Sequence, residues 1–136
     1  MNRLLFLFVC LFCANVVVAQ KVPYNVVIDV TSGDTIVHRM VTRWVSEIIH
    51  ADPSANVEVV FYAKSLDMVT GKSTVSDSIA VFSANKNIKF KVCEVAMKNN
   101  NIQKSMLLPG IETVPDGIYE IVKKQHDGWG YIKASR

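Results

Sequence analysis

Two apolar runs of strand length bracket one helical repeat in the first half of the chain, and that order leaves few folds open. Val22 to Val30 is a nearly continuous apolar run broken by Asn25 and Asp29, the pattern of a strand covered on both faces. Thr31-Ser32-Gly33-Asp34 turns the chain and offers side-chain oxygens to cap a helix. Within Asp34 to His50, Ile36, Val37, Met40, Val41, Trp44, Val45, Ile48 and Ile49 recur at helical spacing. They cover about 220° of the helix, wider than one sheet face requires, so the stripe is expected to meet a second subunit as well as its own sheet. Asp52-Pro53-Ser54 stops this helix, and Val57 to Ala63 is a second apolar strand with one charge at Glu58. Strand, helix, strand is a βαβ unit, which fixes a parallel pair.

The rest of the chain extends that unit. A loop through Lys64 to Ser73 leads to a weaker helix over Val75 to Lys86, with Ile79 and Phe82 inward. In the strand Ile88 to Cys93, Ile88, Phe90 and Val92 point one way while Lys89, Lys91 and Cys93 point the other, so one face is expected to be lightly covered or near a cleft. Glu94 to Asn99 starts a helix that the Asn99-Asn100-Asn101 run ends. Gln103 to Leu108 is a short further piece, Pro109-Gly110 a turn and Ile111 to Val114 a short strand. Pro115-Asp116 opens a last helix with Ile118, Ile121 and Val122 on one face, and Gly128 to Ile132 reads as a final strand. One α/β domain with a mainly parallel sheet and helices on its faces follows.

Composition matters once residues 1 to 19 are set apart. They hold 16 apolar side chains and one charge, Arg3, with an apolar run Leu4 to Ala14 and small residues at Val17-Val18-Ala19. That is a signal-peptide pattern with cleavage expected after Ala19, too short for a permanent membrane anchor, and the mature chain is expected to be periplasmic or otherwise exported. Of the 136 residues 117 remain, with 14 basic against 12 acidic side chains, too balanced for a nucleic-acid footprint. Of Cys10, Cys13 and Cys93, only Cys93 survives, so no internal disulfide is available.

Most chemical motifs fail on spacing. Gly71-Lys72-Ser73 has the end of a P-loop, but the first glycine of that pattern falls at Leu66. The loop Thr31 to Thr35 looks like a flavin phosphate loop, yet Asp34 sets a negative charge against the phosphate. The six glycines form no dinucleotide fingerprint, and His38, His50 and His126 have no partners at metal-ligand intervals, so no cofactor and no metal are expected. His50 reads as solvated, His126 as a cation at a helix end, and His38 as ambiguous at the edge of its stripe.

Cys93 is the remaining candidate. It stands at the carboxyl end of a strand just before a helix, where open α/β sheets place ligand and catalytic groups. The following helix start and the cations Lys91 and Lys98 favour its thiolate, whereas Glu94 opposes it. With a strand order 2-1-3, the loop after the first strand would bring Asp34 and His38 near the sulfur. The other reading of Cys93 is a packed core residue, because free cysteine is among the most buried residue types.

The stretch Ile88 to Lys98, with Leu107-Leu-Pro-Gly-Ile-Glu-Thr-Val-Pro-Asp-Gly117 and Gln125-His-Asp-Gly-Trp-Gly-Tyr131, resembles the DsrE/DsrF-like (YchN-like) family. Asp29 with the loop after it, and Ser65-Leu66-Asp67, fall where that family places corresponding loops. The resemblance implies a three-layer α/β/α sandwich with a mainly parallel sheet of about five strands, assembled as homotrimers or hexamers. It also implies a thiolate at Cys93, with Ala96 and Lys98 in the following helix start, that carries a sulfane sulfur between donor and acceptor proteins. The alternative is a non-catalytic homo-oligomeric binding protein.

Overall fold

The apolar runs do form strands, and their order along the sheet follows from the direction of each crossover. The structure is a computed structural model that describes residues 22–135. The expected leader, its cleavage point, Cys10 and Cys13 lie outside the described residues. The strands are β1 (Asn25–Val30), β2 (Asn56–Phe61), β3 (Ile88–Cys93), β4 (Ile111–Val114) and β5 (Gly130–Ala134). The helices are α1 (Thr35–Ala51), α2 (Ser76–Ser83), α3 (Glu94–Asn99) and α4 (Gly117–His126), with 3-10 turns at Ser65–Val69 and Lys104–Met106.

The sheet order is β4-β3-β2-β1-β5, and all four pairings are parallel. The order 2-1-3 is therefore corrected to 3-2-1: successive crossovers step the same way, and β2 separates β1 from β3. The last crossover runs back across the sheet to place β5 beside β1. Parallel crossovers keep one hand, so reversing the direction of travel moves the connecting helix to the opposite face. The result is three unequal layers.

On one face Val26, Ile28, Val30, Val57, Val59, Phe61, Ile88, Phe90 and Val92 pack with Val37, Val41 and Val45 of α1 and Ile79 of α2. Phe61 and Phe90 stack at 6.2 Å between ring centroids within this core. Met40, Trp44, Ile48 and Ile49 are half-buried against the same cluster. Their own sheet thus takes up most of the wide α1 stripe, and Ile36 is the large apolar residue of that helix left exposed. The opposite face carries a much smaller apolar cluster, Val27, Val60 and Ile121, with Tyr62 and Trp129 at its edge.

Several boundaries move for local reasons. β1 starts at Asn25 rather than Val22, because its neighbours supply partners only from Asn56 and Gly130 onward. α2 spans Ser76–Ser83, shorter than expected, and the Asn85 side chain takes up the Asn87 N–H just beyond it. β5 starts at Gly130 rather than Gly128, because Gly128 adopts φ +83 in the stop of α4. In α4 the expected apolar face is turned outward: only Ile121 of the three is buried, while Ile118, Tyr119 and Val122 are 59%, 70% and 56% exposed. Gly117, Ile121 and Lys124, together with Glu120, occupy the inward stripe instead.

Candidate functional site

The face under α4 is built from charge. Val27, Asp29, Glu58, Val60, Lys91 and Cys93 alternate onto it from the three central strands, opposite the apolar set. Asp29, 4% exposed, accepts hydrogen bonds from Tyr62 (3.1 Å) and Tyr131 (2.8 Å) and pairs with Lys133 at 2.9 and 3.0 Å. Burial, reinforced by the Asp29 charge and hydrogen bond, pushes the Tyr62 phenol up to about 12. Burial and Asp29 raise Tyr131 as well. Both tyrosines therefore stay neutral donors, and the carboxylate ties β1 to the end of β2 and to β5.

One strand further along, Lys91 bridges Glu58 at 2.9 Å and Glu120 at 2.8 Å, and Lys124 bridges Glu58 at 2.9 Å while lying 4.0 Å over the Trp129 ring. Glu58 is almost wholly enclosed, and its Oε1 has no hydrogen-bond partner. Burial pushes its carboxyl up against the pull of Lys91 and Lys124, with Glu120 adding to the rise. Burial acts on Glu120 in the same sense, but hydrogen bonds involving Lys91 and Glu58 hold its carboxyl below the usual range. For Lys91 burial opposes the charge, yet Glu120 and Glu58 raise it overall. Two ammonium groups and two carboxylates thus anchor a helix that has little apolar contact with the sheet.

Cys93 closes this face at the carboxyl edge. It occupies the N-cap position of α3 without a side-chain capping bond and is 6% exposed. The amino end of α4 lies over it, and a Cβ at position 117 would come to 3.0 Å from the Cys93 Cβ and 3.7 Å from its Sγ. Glycine is what permits that approach. Beside the sulfur opens a cleft of about 220 Å³ lined by Tyr62, Ala63, Val95, Ala96, Asn99, Asn100, Asp116 and Ile118 as well as Cys93. Asp116 also caps α4, accepting from the N–H groups of Ile118 (2.8 Å) and Tyr119 (3.0 Å).

The expected supporting residues are dispersed. Lys91 is held by its two carboxylates and does not line the cleft. His38 is buried in α1 with Nε2 3.0 Å from the Ser32 carbonyl, and Asp34 caps α1 by accepting from Ile36 N–H at 2.8 Å. Neither reaches the cleft, because the strand order places the loop after β1 against the loop after β2, where Lys64 N–H donates to Thr31. Lys98 is exposed on α3. Glu94 does not face the sulfur unopposed: a hydrogen bond from Thr113 at 2.6 Å, then Lys104 at 3.0 Å, hold its carboxyl below the usual range. His50 and His126 are exposed, as their helix positions imply. Among the described residues no group of histidine, cysteine or carboxylate side chains has metal-binding geometry. Sequence reasoning missed Tyr62 and Asp116; with the order 3-2-1, the residue after β2 would have been placed beside the end of β3.

The model of the DsrE/DsrF-like family matches residues 47–134. Among solved structures the fold is similar to the protein of unknown function MTH1491 from Methanobacterium thermoautotrophicum, with a TM-score of 0.77 and 24% identity over 81% of this chain and 98% of that one. It is also similar to BT1422, a conserved protein of unknown function from Bacteroides thetaiotaomicron (TM-score 0.68, 15% identity, 81% and 94% covered). The ychN protein from E. coli gives a TM-score of 0.67 at 11% identity, with 82% and 99% covered. No curated protein sequence matches the chain.

Proposed function

This chain belongs to the DsrE/DsrF-like family, and from that premise we propose that it carries sulfur: Cys93 accepts a sulfane sulfur as a persulfide and passes it to the thiol of a partner protein. The observation that supports this most is the place of Cys93, at the carboxyl edge of a parallel sheet beside a cleft and on the strand face that carries Lys91, even as it packs against the apolar cluster. In the step itself the Cys93 thiolate attacks the outer sulfur of a donor R–S–SH. The donor S–S bond breaks, R–S⁻ leaves and takes up a proton, and Cys93 becomes Cys–S–SH. The added atom stands about 2 Å beyond Sγ, so the persulfide needs that much more room than the thiol does.

Intact mass measured after exposure to thiosulfate or polysulfide tests this reading. The wild type is expected to gain the mass of one sulfur, reversed by reductant, and Cys93→Ser to gain none. No gain in the wild type sinks it.

A second reading, a homo-oligomeric binding protein with Cys93 as a packed residue, is supported by the 6% exposure and the close cover of Gly117. It requires that a thiol reagent near neutral pH label Cys93 no faster than the protein unfolds. We also propose that copies associate through the outward face of α4, Ile118, Tyr119 and Val122, at the rim of the cleft. Light scattering should then give a trimer or hexamer that Tyr119→Glu shifts to monomer. Export by residues 1–19 predicts an isolated protein that begins at Gln20.

A further inference from the structure

A larger depression adjoins the Cys93 cleft and is used by nothing described so far. Its volume is about 610 Å³, and it shares two wall residues, Ala63 and Asn100, with the cleft. That volume is of the order that encloses a small organic molecule. Leu66, Ile102 and Met106 are the larger apolar residues of its lining. Lys64 and Lys72 set two ammonium groups on its wall against one carboxylate, Asp67, which is bridged to Lys72 at 3.7 Å. The two non-glycine residues of positive φ among the described residues are Ala63 (φ 56) and Asn101 (φ 54), one in each loop that forms its sides. A left-handed alanine has no local hydrogen bond to favour it, and such backbone is retained where a wall must be shaped.

We propose that this chamber binds a small anionic thiol in its persulfide form, with its carboxylate towards Lys64 and Lys72 and its sulfur reaching past Ala63 and Asn100 to Cys93. The proposal rests on Cys93 as sulfur acceptor and names the class of donor. Its step is the one written above, with R the body of the chamber ligand: one S–S bond breaks, one forms, the free thiol departs, and no further oxidant or reductant takes part.

Gly71 provides the means of testing it, because it lines the depression and a Cβ there would meet nothing within 4 Å, so that Gly71→Phe adds bulk at the wall. Sulfur uptake by the full chain is followed by intact mass with two donors, inorganic polysulfide, which needs no chamber, and glutathione persulfide. Gly71→Phe is expected to slow uptake from glutathione persulfide about tenfold or more relative to polysulfide, and Lys64→Glu to act in the same direction. An unchanged ratio of the two rates in Gly71→Phe overturns the proposal. Binding of reduced glutathione to Cys93→Ser, read by amide shifts, separates the two readings. Shifts at Leu66 and Ile102 that vanish on adding Gly71→Phe support the chamber even if Cys93 takes sulfur from neither donor, and their absence overturns it.

Discussion

The two faces of the sheet are stabilised in different ways, although they come from alternate residues of the same strands. The face under α1 and α2 is a continuous apolar layer in which Phe61, Phe90 and the β-branched residues around them leave water altogether. The face under α4 has only a small apolar cluster of Val27, Val60 and Ile121 and relies on carboxylates enclosed by hydroxyl and ammonium donors. Apolar burial is non-directional and tolerates small shifts, whereas an enclosed charge is stable only while its partners stay in place. The first face therefore holds the fold, and the second holds one helix in register over Cys93.

The largest effect should come from the apolar face. Phe90→Ala removes a ring that is 1% exposed and should cost about 4 kcal/mol in chemical denaturation. Glu58→Ala, on the other face, leaves Lys91 and Lys124 sharing Glu120 and should cost about 3 kcal/mol. If the ionic face matters for register more than for stability, a double change to apolar residues, Glu58→Leu with Lys91→Met, should recover most of that loss. Failure to recover would mean that the charges hold the fold as strongly as the apolar layer does.

Alkali should act on the ionic face, and the sign follows from the raised phenols. A tyrosine that ionises at about 12 when folded and near 10 when unfolded stabilises the fold below pH 10 and loses that contribution as the pH climbs to 12. Phenolate absorbance should show this late component, and Tyr62→Phe should remove it. Tyr131→Phe deletes one hydrogen bond to Asp29 at a half-exposed site and should cost about 1 kcal/mol. Lys89→Ala breaks a 3.0 Å pair with Glu112 in which both side chains are about half in water, and a change below about 0.5 kcal/mol is expected.

Much of the fold was legible because periodicity records burial on one face at a time. The continuous run in β1 was read as a strand covered on both faces, as it is, and the alternation in β3 separated Ile88, Phe90 and Val92 from a polar face. α4 misled for the same reason. Its apolar positions were assumed to face inward, yet the sheet it meets offers Glu58 and Lys91, so Glu120 and Lys124 turn in and Ile118 turns out. Cys93 was found from its position before a helix. Its surroundings were not, because Tyr62, Asp116 and Asn100 come from loops that only the strand order brings together.

The pairing of β1 with β5 also bears on synthesis. Val26 lies against Gly130 and Val30 against Ala134, so the first strand of the domain waits for the last before its outer edge is covered. Until β5 has docked, β1 stands at the border of the sheet with that edge unpaired, an invitation to pair with another chain. Truncation before Gly130 should accordingly yield aggregate rather than a smaller domain.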